Sequence, residues 1–437
     1  MGTYSQAILW GTRIGAVALE DGEAVASFQY DPDFLGSGIE VAPLTMPLRR
    51  EPYSFPGLDP DSFHGLPGLL SDSLPDRYGH ALIDAWLAGQ GRAPESFDSV
   101  ERLCYVGTRG MGALEFRPSQ GPASSATRDL DIAELVELAS EVLSRRQELI
   151  ASLAEGHQRR AMLDILSVGA SAGGARAKAV IAWNPQSNVV RSGQVPELGP
   201  GFEHWLLKFD GVSENRDKDA LADPQGFGAI EYAYSLMAGD AEVEMSECRL
   251  LEEGGRRHFM TRRFDRGRDG SKRHMLSLAA LAHLDFNQPG AHSYEQSFLT
   301  IRRLGLGADT VEQMFRRMTF NIVARNQDDH VKNIAFLMDR AGDWRLAPAF
   351  DVAYSYRPGS RWTSAHQMTM NGKRDDFTMI DFSECGRTAG LPRGRAERIV
   401  EQIREVVSRW GDYAGRAGVE QDHVARIERT LRLSASG

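Results

Sequence analysis

The sequence predicts an α+β fold on three observations. Strand-like segments crowd the stretch from Lys178 to Phe264, apolar residues at helical spacing dominate after residue 275, and a Pro/Gly/Ser-rich run at Pro118–Thr127 sets both apart from an earlier block of short strands. With 437 residues the chain has room for two or three domains. Hydrophobic residues make up 42% and charged residues 25%, the mix of an ordinary globular protein, which argues against a disordered or collagen-like chain.

In chain order, Gln6–Trp10 and Gly15–Leu19 read as short strands separated by Gly and charged turns. A helix is expected at about Pro75–Ala88, with Asp72, Ser73 and Pro75 as start signals. Beyond the linker, Ile132, Leu135, Val136, Ala139 and Val142 predict a helix within Leu130–Ile150. Strands follow at Lys178–Trp183, His204–Phe209 and His258–Thr261, interrupted by a helix at about Phe227–Met237. Ile399, Ile403, Val406, Val407 and Trp410 form one apolar face of a late helix. The expected domains are 1–118, a linker at 119–129, a strand-rich region at 130–264 and a helical region at 265–437.

Fifty basic against sixty acidic side chains give a net charge of −10, so the surface as a whole repels phosphate. That argues against a stand-alone nucleic-acid binder and leaves a local basic patch or a basic partner open. Cys104, Cys248 and Cys385 are odd in number and far apart, forming neither a metal knuckle nor a disulfide framework. No signal-peptide pattern opens the chain and no apolar run approaches membrane-span length, so a cytoplasmic protein without a membrane partner is expected.

The richest segment for chemistry is Asn326-Gln-Asp-Asp-His-Val-Lys-Asn333, followed by Phe350-Asp351-Val352. Asp328 and Asn333 stand at Asp-x-x-x-x-Asn spacing, as in protein-kinase catalytic loops, where Asp accepts the substrate hydroxyl's proton and Asn holds Mg²⁺. Ile334–Met338 and Trp344–Leu346 read as a hairpin that returns Asp351 to the same site as a second oxygen ligand. Two other readings stay open: a solvated acidic turn, or a metal-dependent phosphohydrolase using Asp328, Asp329 and His330.

Upstream, Val168–Ala182 carries the glycines Gly173 and Gly174 and then Lys178, without the Gly-Lys-Ser/Thr ending of a Walker motif. Lying before a strand, it suits a loop over a triphosphate; an ordinary Gly-rich turn is the alternative. Lys208 sits inside the apolar run Trp205–Phe209, and a buried lysine needs an anion: phosphate, with Glu231 on the next helix as its ion-pair partner. The plainer reading is an edge-strand lysine facing water. The basic set His258, Arg262, Arg263, Arg266 and Arg268 reads as a phosphate or partner surface, or as a solvated basic face. Trp362, Phe377 and Phe382 read as packing.

With these motifs in place, the sequence resembles the HipA family of serine/threonine kinases, the toxins of bacterial type II toxin–antitoxin modules. The resemblance is carried by Val168–Trp183, Arg263–Arg266, Asn326–Asn333 and Phe350–Val352, and in the first domain by Asp72–Gly79 and Gly107–Phe116. It implies a protein-kinase-like bilobal fold, with a strand-rich nucleotide lobe, a helical C-lobe and a small N-terminal α/β domain. It further implies Asp328 as catalytic residue, Asn333 and Asp351 as Mg²⁺ ligands, and ATP contacts at Gly173, Gly174, Ala175, Lys178, Lys208, Glu231, Arg262, Phe264, His330 and Lys332. Ser171 matches the serine whose autophosphorylation displaces the glycine loop in the family. The implied partners are a small helix-turn-helix antitoxin (HipB-like), operator DNA reached mainly through it, and a protein substrate in translation, with an aminoacyl-tRNA synthetase as candidate. A pseudokinase co-repressor, acting only through antitoxin binding, is the alternative.

Overall fold

The computed structural model describes residues 2–88, 90–121, 129–144, 165–166, 168–169, 176–195, 198–212 and 225–434. The chain divides into two compact units. The first comprises residues 1–225, 249–276 and 338–342; the second comprises 226–248, 277–337 and 343–437. Helices and strands are mixed, and no helix among the described residues is long and apolar enough to cross a membrane.

The first unit opens on an antiparallel sheet of β1 (Thr3–Leu9), β2 (Thr12–Leu19), β3 (Ser27–Tyr30) and β4 (Leu114–Arg117), in the order β3-β2-β1-β4. Trp10 and Gly11 both take positive φ, 50° and 87°, the pairing that a two-residue hairpin turn demands. The first strand therefore ends at Leu9 rather than Trp10. Helix Ser99–Val106 is closed by a capping box of Asp98 and Glu101. Helix Arg77–Ala88 starts two residues later than Pro75, because its cap is Asp76, whose carboxylate accepts from Gly79 N at 2.8 Å.

A second sheet in this unit holds β5 (Lys178–Trp183), β6 (Val190–Ser192), β7 (Glu203–Lys208), β8 (Cys248–Glu253) and β9 (Arg256–Arg262), ordered β6-β5-β7-β9-β8. The period-two rule sends Ala179, Ile181, Trp205 and Leu207 to one face, where they pack with Val136, Ala139 and Val142 of helix Ile132–Ser144 and with Tyr78 and Leu82 of helix Arg77–Ala88. Each large side chain buried there contributes about 2–3 kcal/mol.

The two sheets are tied together at Gly107–Phe116. The buried Asp265 carboxylate takes Gly112 N at 2.7 Å and both Arg263 and Arg266, while those guanidiniums donate to the Gly110 and Gly112 carbonyls. Gly112, at φ +75° with Met275 N 3.1 Å from where a Cβ would stand, has no room for a side chain.

The second unit is mainly helical. Helix Phe227–Asp240 packs on Trp410–Ala417, with the Tyr413 hydroxyl donating to Asp240 at 2.7 Å. Helix Ala308–Val323 packs on Arg395–Ser408, tied by Arg395 and Glu312. The expected hairpin is present as β11 (Ala335–Met338) and β12 (Trp344–Leu346), numbered after β10 (His274–Ser277).

Candidate active site

Asn326–Asn333 leaves the end of helix Ala308–Val323, and the β11–β12 hairpin brings Asp351 back beside it. The Asn326 side chain staples the two segments: its Nδ2 donates to Asn321 Oδ1 at 3.0 Å and to the Asp351 carbonyl at 3.4 Å. Its Oδ1 accepts from Ser355 Oγ at 3.1 Å, and Ser355 Oγ in turn accepts from Asp328 N at 2.9 Å. Asp351 is held at φ +52°, a conformation costly for a non-glycine residue and therefore imposed by its surroundings.

Asn333, Asp351, Asn326 and Asp329 line one small cavity of about 10 Å³, with room for a single water-sized occupant. The Asn333 amide group donates to the Asp328 carbonyl at 2.9 Å, which leaves its carboxamide oxygen as its remaining donor atom. An amide oxygen and a carboxylate suit a hard cation that keeps part of its water shell. Among the described residues no group of three His, Cys, Asp or Glu forms a richer ligand set.

Asp328 is a third exposed, and its carboxylate accepts from Gln367 Nε2. His330 Nε2 lies 3.9 Å from it, and the His330 ring and the Lys332 ammonium both stand against Phe286, the latter 4.9 Å from the ring centroid. Asp329 points the other way, into the protein. Its carboxylate accepts from Tyr294 OH at 2.7 Å, His366 Nδ1 at 2.8 Å and Gln367 N at 2.7 Å. Burial raises its carboxyl, but His366 and the other donors outweigh that and hold it below the usual range. For His366 burial wins and lowers the imidazole, so the ring is neutral; Arg432 donates to its Nε2 at 2.8 Å, which places the remaining proton on Nδ1, toward Asp329. Asp329 is thus an anchor for the loop, and its occupied oxygens take it out of the ligand set that the phosphohydrolase reading requires.

In the first unit, Lys178 and Lys208 are directly opposed on β5 and β7. Lys178, expected to lend charge to bound phosphates, instead pairs with Asp76: Nζ lies 2.9 Å from the carboxylate, and the side chains are 1% and 7% exposed. The Lys208 ammonium lies 5.7 Å from the Phe259 ring centroid. Glu231 is buried on helix Phe227–Asp240, in the second unit. Arg262 stands 3.4 Å from Glu203, and the Phe264 carbonyl accepts from Arg273 at 2.9 Å. Ser171, Gly173, Gly174 and Ala175 lie outside the described residues.

Comparison with family models matches a HipA N-terminal domain at residues 5–117 and a HipA-like C-terminal domain at residues 170–410. The chain belongs to the HipA family. Among solved structures, it is similar to HipA of Shewanella oneidensis MR-1, determined in complex with HipB and operator DNA: 16% identical, covering 98% of this chain and 96% of that one, with a TM-score of 0.67. A Helicobacter pylori proinflammatory kinase, CtkA, matches with a TM-score of 0.32 and 9% identity over 53% of this chain and 88% of that one. No curated protein matches.

Within this HipA-family chain Asn333 and Asp351 line one cavity, and Asn333 reaches back to the Asp328 carbonyl. The supporting set of Tyr294, Asn321, Ser355, His366 and Gln367 was not found from sequence. None carries a motif of its own, and the run Ala365-His-Gln-Met-Thr-Met370 has no period that would single out His366 and Gln367.

Proposed function

We propose that this protein is a Mg²⁺- and ATP-dependent serine/threonine protein kinase with the bilobal layout of that class, acting as the toxin of a type II toxin–antitoxin module. The observation that carries the reading is the convergence of Asp328, Asn333 and Asp351, with Asn333 and Asp351 on one cavity wall. Asp328 serves as acceptor of the substrate hydroxyl's proton, held in place through its backbone by Ser355 and through its carboxylate by Gln367. Asn333 and Asp351 hold Mg²⁺, which when bound neutralises charge on the phosphates. Lys208 binds the phosphates with Glu231 as its partner, and Arg262, Phe264, His330 and Lys332 complete the ATP contacts. Lys178, which also pairs with Asp76 at the start of β5, belongs to the same set of ATP contacts.

Family membership supports the partners: a HipB-like helix-turn-helix antitoxin, operator DNA reached mainly through it, and a protein substrate in translation, in the cytoplasm. Autophosphorylation at Ser171 belongs to the same reading. Calorimetric titration of ATP, with and without Mg²⁺, tests it. Mg²⁺-dependent binding that Asp351→Asn weakens at least about tenfold supports the assignment; absence of ATP binding would favour the co-repressor reading.

A further inference from the structure

The basic residues that follow β9 surround a groove of about 500 Å³, lined by the segments around Leu198–His204 and Arg262–Gly270, all within the first unit. That volume lies within the range of about 300–1,000 Å³ usual for small-molecule sites. Two guanidiniums in its wall, Arg263 and Arg266, share a single carboxylate, Asp265, and all three side chains are at least nine-tenths buried. Glu115 also acts on Arg266 but is itself taken by Lys272 at 2.7 Å, so one positive charge is left over in a dry environment, a costly arrangement unless an anion answers it.

Among the described residues, two buried polar atoms in the same wall have no hydrogen-bond partner: Arg263 Nη1 and His204 Nδ1. The two residues are fixed against each other, since Arg263 N donates to the His204 carbonyl at 3.0 Å. At the rim, Arg262 pairs with Glu203 at 3.4 Å, and Arg268 is exposed. Among the described residues, the four guanidiniums of Arg262, Arg263, Arg266 and Arg268 stand with three carboxylates, Glu203 and Asp269 in the lining and Asp265 behind it, and Asp269 is already engaged by Ser271. Guanidinium forks bind the oxygens of phosphates and carboxylates in bidentate fashion, and of the two a phosphate brings more acceptor oxygens to a cluster of several arginines.

We propose that this groove is a binding site for a phosphate group, either free or carried as a monoester on a small molecule. The phosphate docks against Arg262, Arg266 and Arg268, balances the surplus charge of the Arg263–Asp265–Arg266 cluster and draws the unpartnered Arg263 amine and His204 ring toward it. The site shares Arg262 with the ATP contacts proposed above but uses neither Lys208 nor any ATP residue of the second unit.

His204 is the built-in reporter. Burial, then Arg263 and Arg266, push its imidazole down to about 4, while Asp265 and a hydrogen bond to the Gly193 backbone oppose them. A bound phosphate anion offsets the two arginines, so the His204 ring should titrate about one unit higher. The test follows the His204 ring by NMR in the full-length protein during titration with inorganic phosphate or ribose 5-phosphate, against sodium chloride at matched ionic strength. The expected result is a saturable upward shift with either phosphate, retained in Lys208→Met and weakened about tenfold in Arg268→Glu, whose exposed side chain is not needed for folding. Tighter binding of ribose 5-phosphate assigns the site to esters; equal or tighter binding of inorganic phosphate assigns it to the free ion. A shift reproduced by chloride, or one that Arg268→Glu leaves unchanged, overturns the proposal.

Discussion

Lys178 and Asp76, remote in sequence, form a buried ion pair at 2.9 Å. Asp76 does two things at once: one oxygen caps helix Arg77–Ala88 through Gly79 N, and the other neutralises a lysine at the first position of β5. Gly169 reinforces the contact, since a Cβ there would fall 2.6 Å from Leu82 and 3.3 Å from Tyr78 of the same helix. The first domain thereby sets the position from which β5 starts.

Asp76→Asn strands the lysine charge in a dry site and should cost about 3–5 kcal/mol in urea unfolding. The double variant Asp76→Leu with Lys178→Met removes both charges and should recover most of that loss. Equal losses in the single and double variants would show that packing, not charge, holds the contact.

The Asp329 anchor makes a second prediction. Tyr294→Phe removes one of three donors to a buried carboxylate and should destabilise the protein by about 1–3 kcal/mol, read by thermal unfolding. An unchanged melting temperature would mean that Asp329 does not depend on Tyr294.

Gln367 bridges the anchor and the proposed catalytic carboxylate, donating its backbone to Asp329 and its side chain to Asp328. Gln367→Leu keeps the backbone bond and frees the Asp328 side chain. Kinetics should show kcat falling about tenfold with KM for ATP little changed. A rise in KM alone would place Gln367 in ATP binding instead.

Acid should destabilise the fold well above the carboxylate range. Burial pushes His258 and His274 down to about 4, with Arg256 adding to the effect at His258 and Asp210 opposing it. Unfolded, each titrates near pH 6.5, so between about pH 6.5 and 4 the unfolded chain binds protons that the folded chain refuses. Stability therefore falls as pH drops through that window, by about 2 kcal/mol per histidine at pH 5. Carboxylates held low, such as Asp329, add their loss only below about pH 4. Urea midpoints at pH 7.5 and 5.0 measure the slope; equal midpoints would contradict it.

Much of this architecture was legible in local pattern. Alternation placed β5 and β7 nearly to the residue, and the Asp-x-x-x-x-Asn spacing with the β11–β12 hairpin marked Asp328, Asn333 and Asp351 as neighbours. Long-range pairing left no such trace. Lys178, four residues after Gly174, reads from sequence as a phosphate ligand, and nothing there announces its pairing with Asp76 about a hundred residues earlier. Asp329, adjacent to Asp328, looks like its chemical twin, and only burial beside Tyr294 and His366 separates their roles. Arg263–Arg266 read as a surface charge run, whereas Asp265 makes it the interior lock on Gly110–Gly112.

The central claim, that Asp328, Asn333 and Asp351 form one phosphoryl-transfer site, is tested most directly by label transfer. Purified protein is incubated with γ-labelled Mg-ATP, alone and with cell lysate, and labelled positions are mapped by mass spectrometry beside Asp328→Ala. The account predicts serine or threonine label, including Ser171, with the parent and none with a folded Asp328→Ala. Equal label from both proteins, or none from the parent with or without lysate, would contradict it.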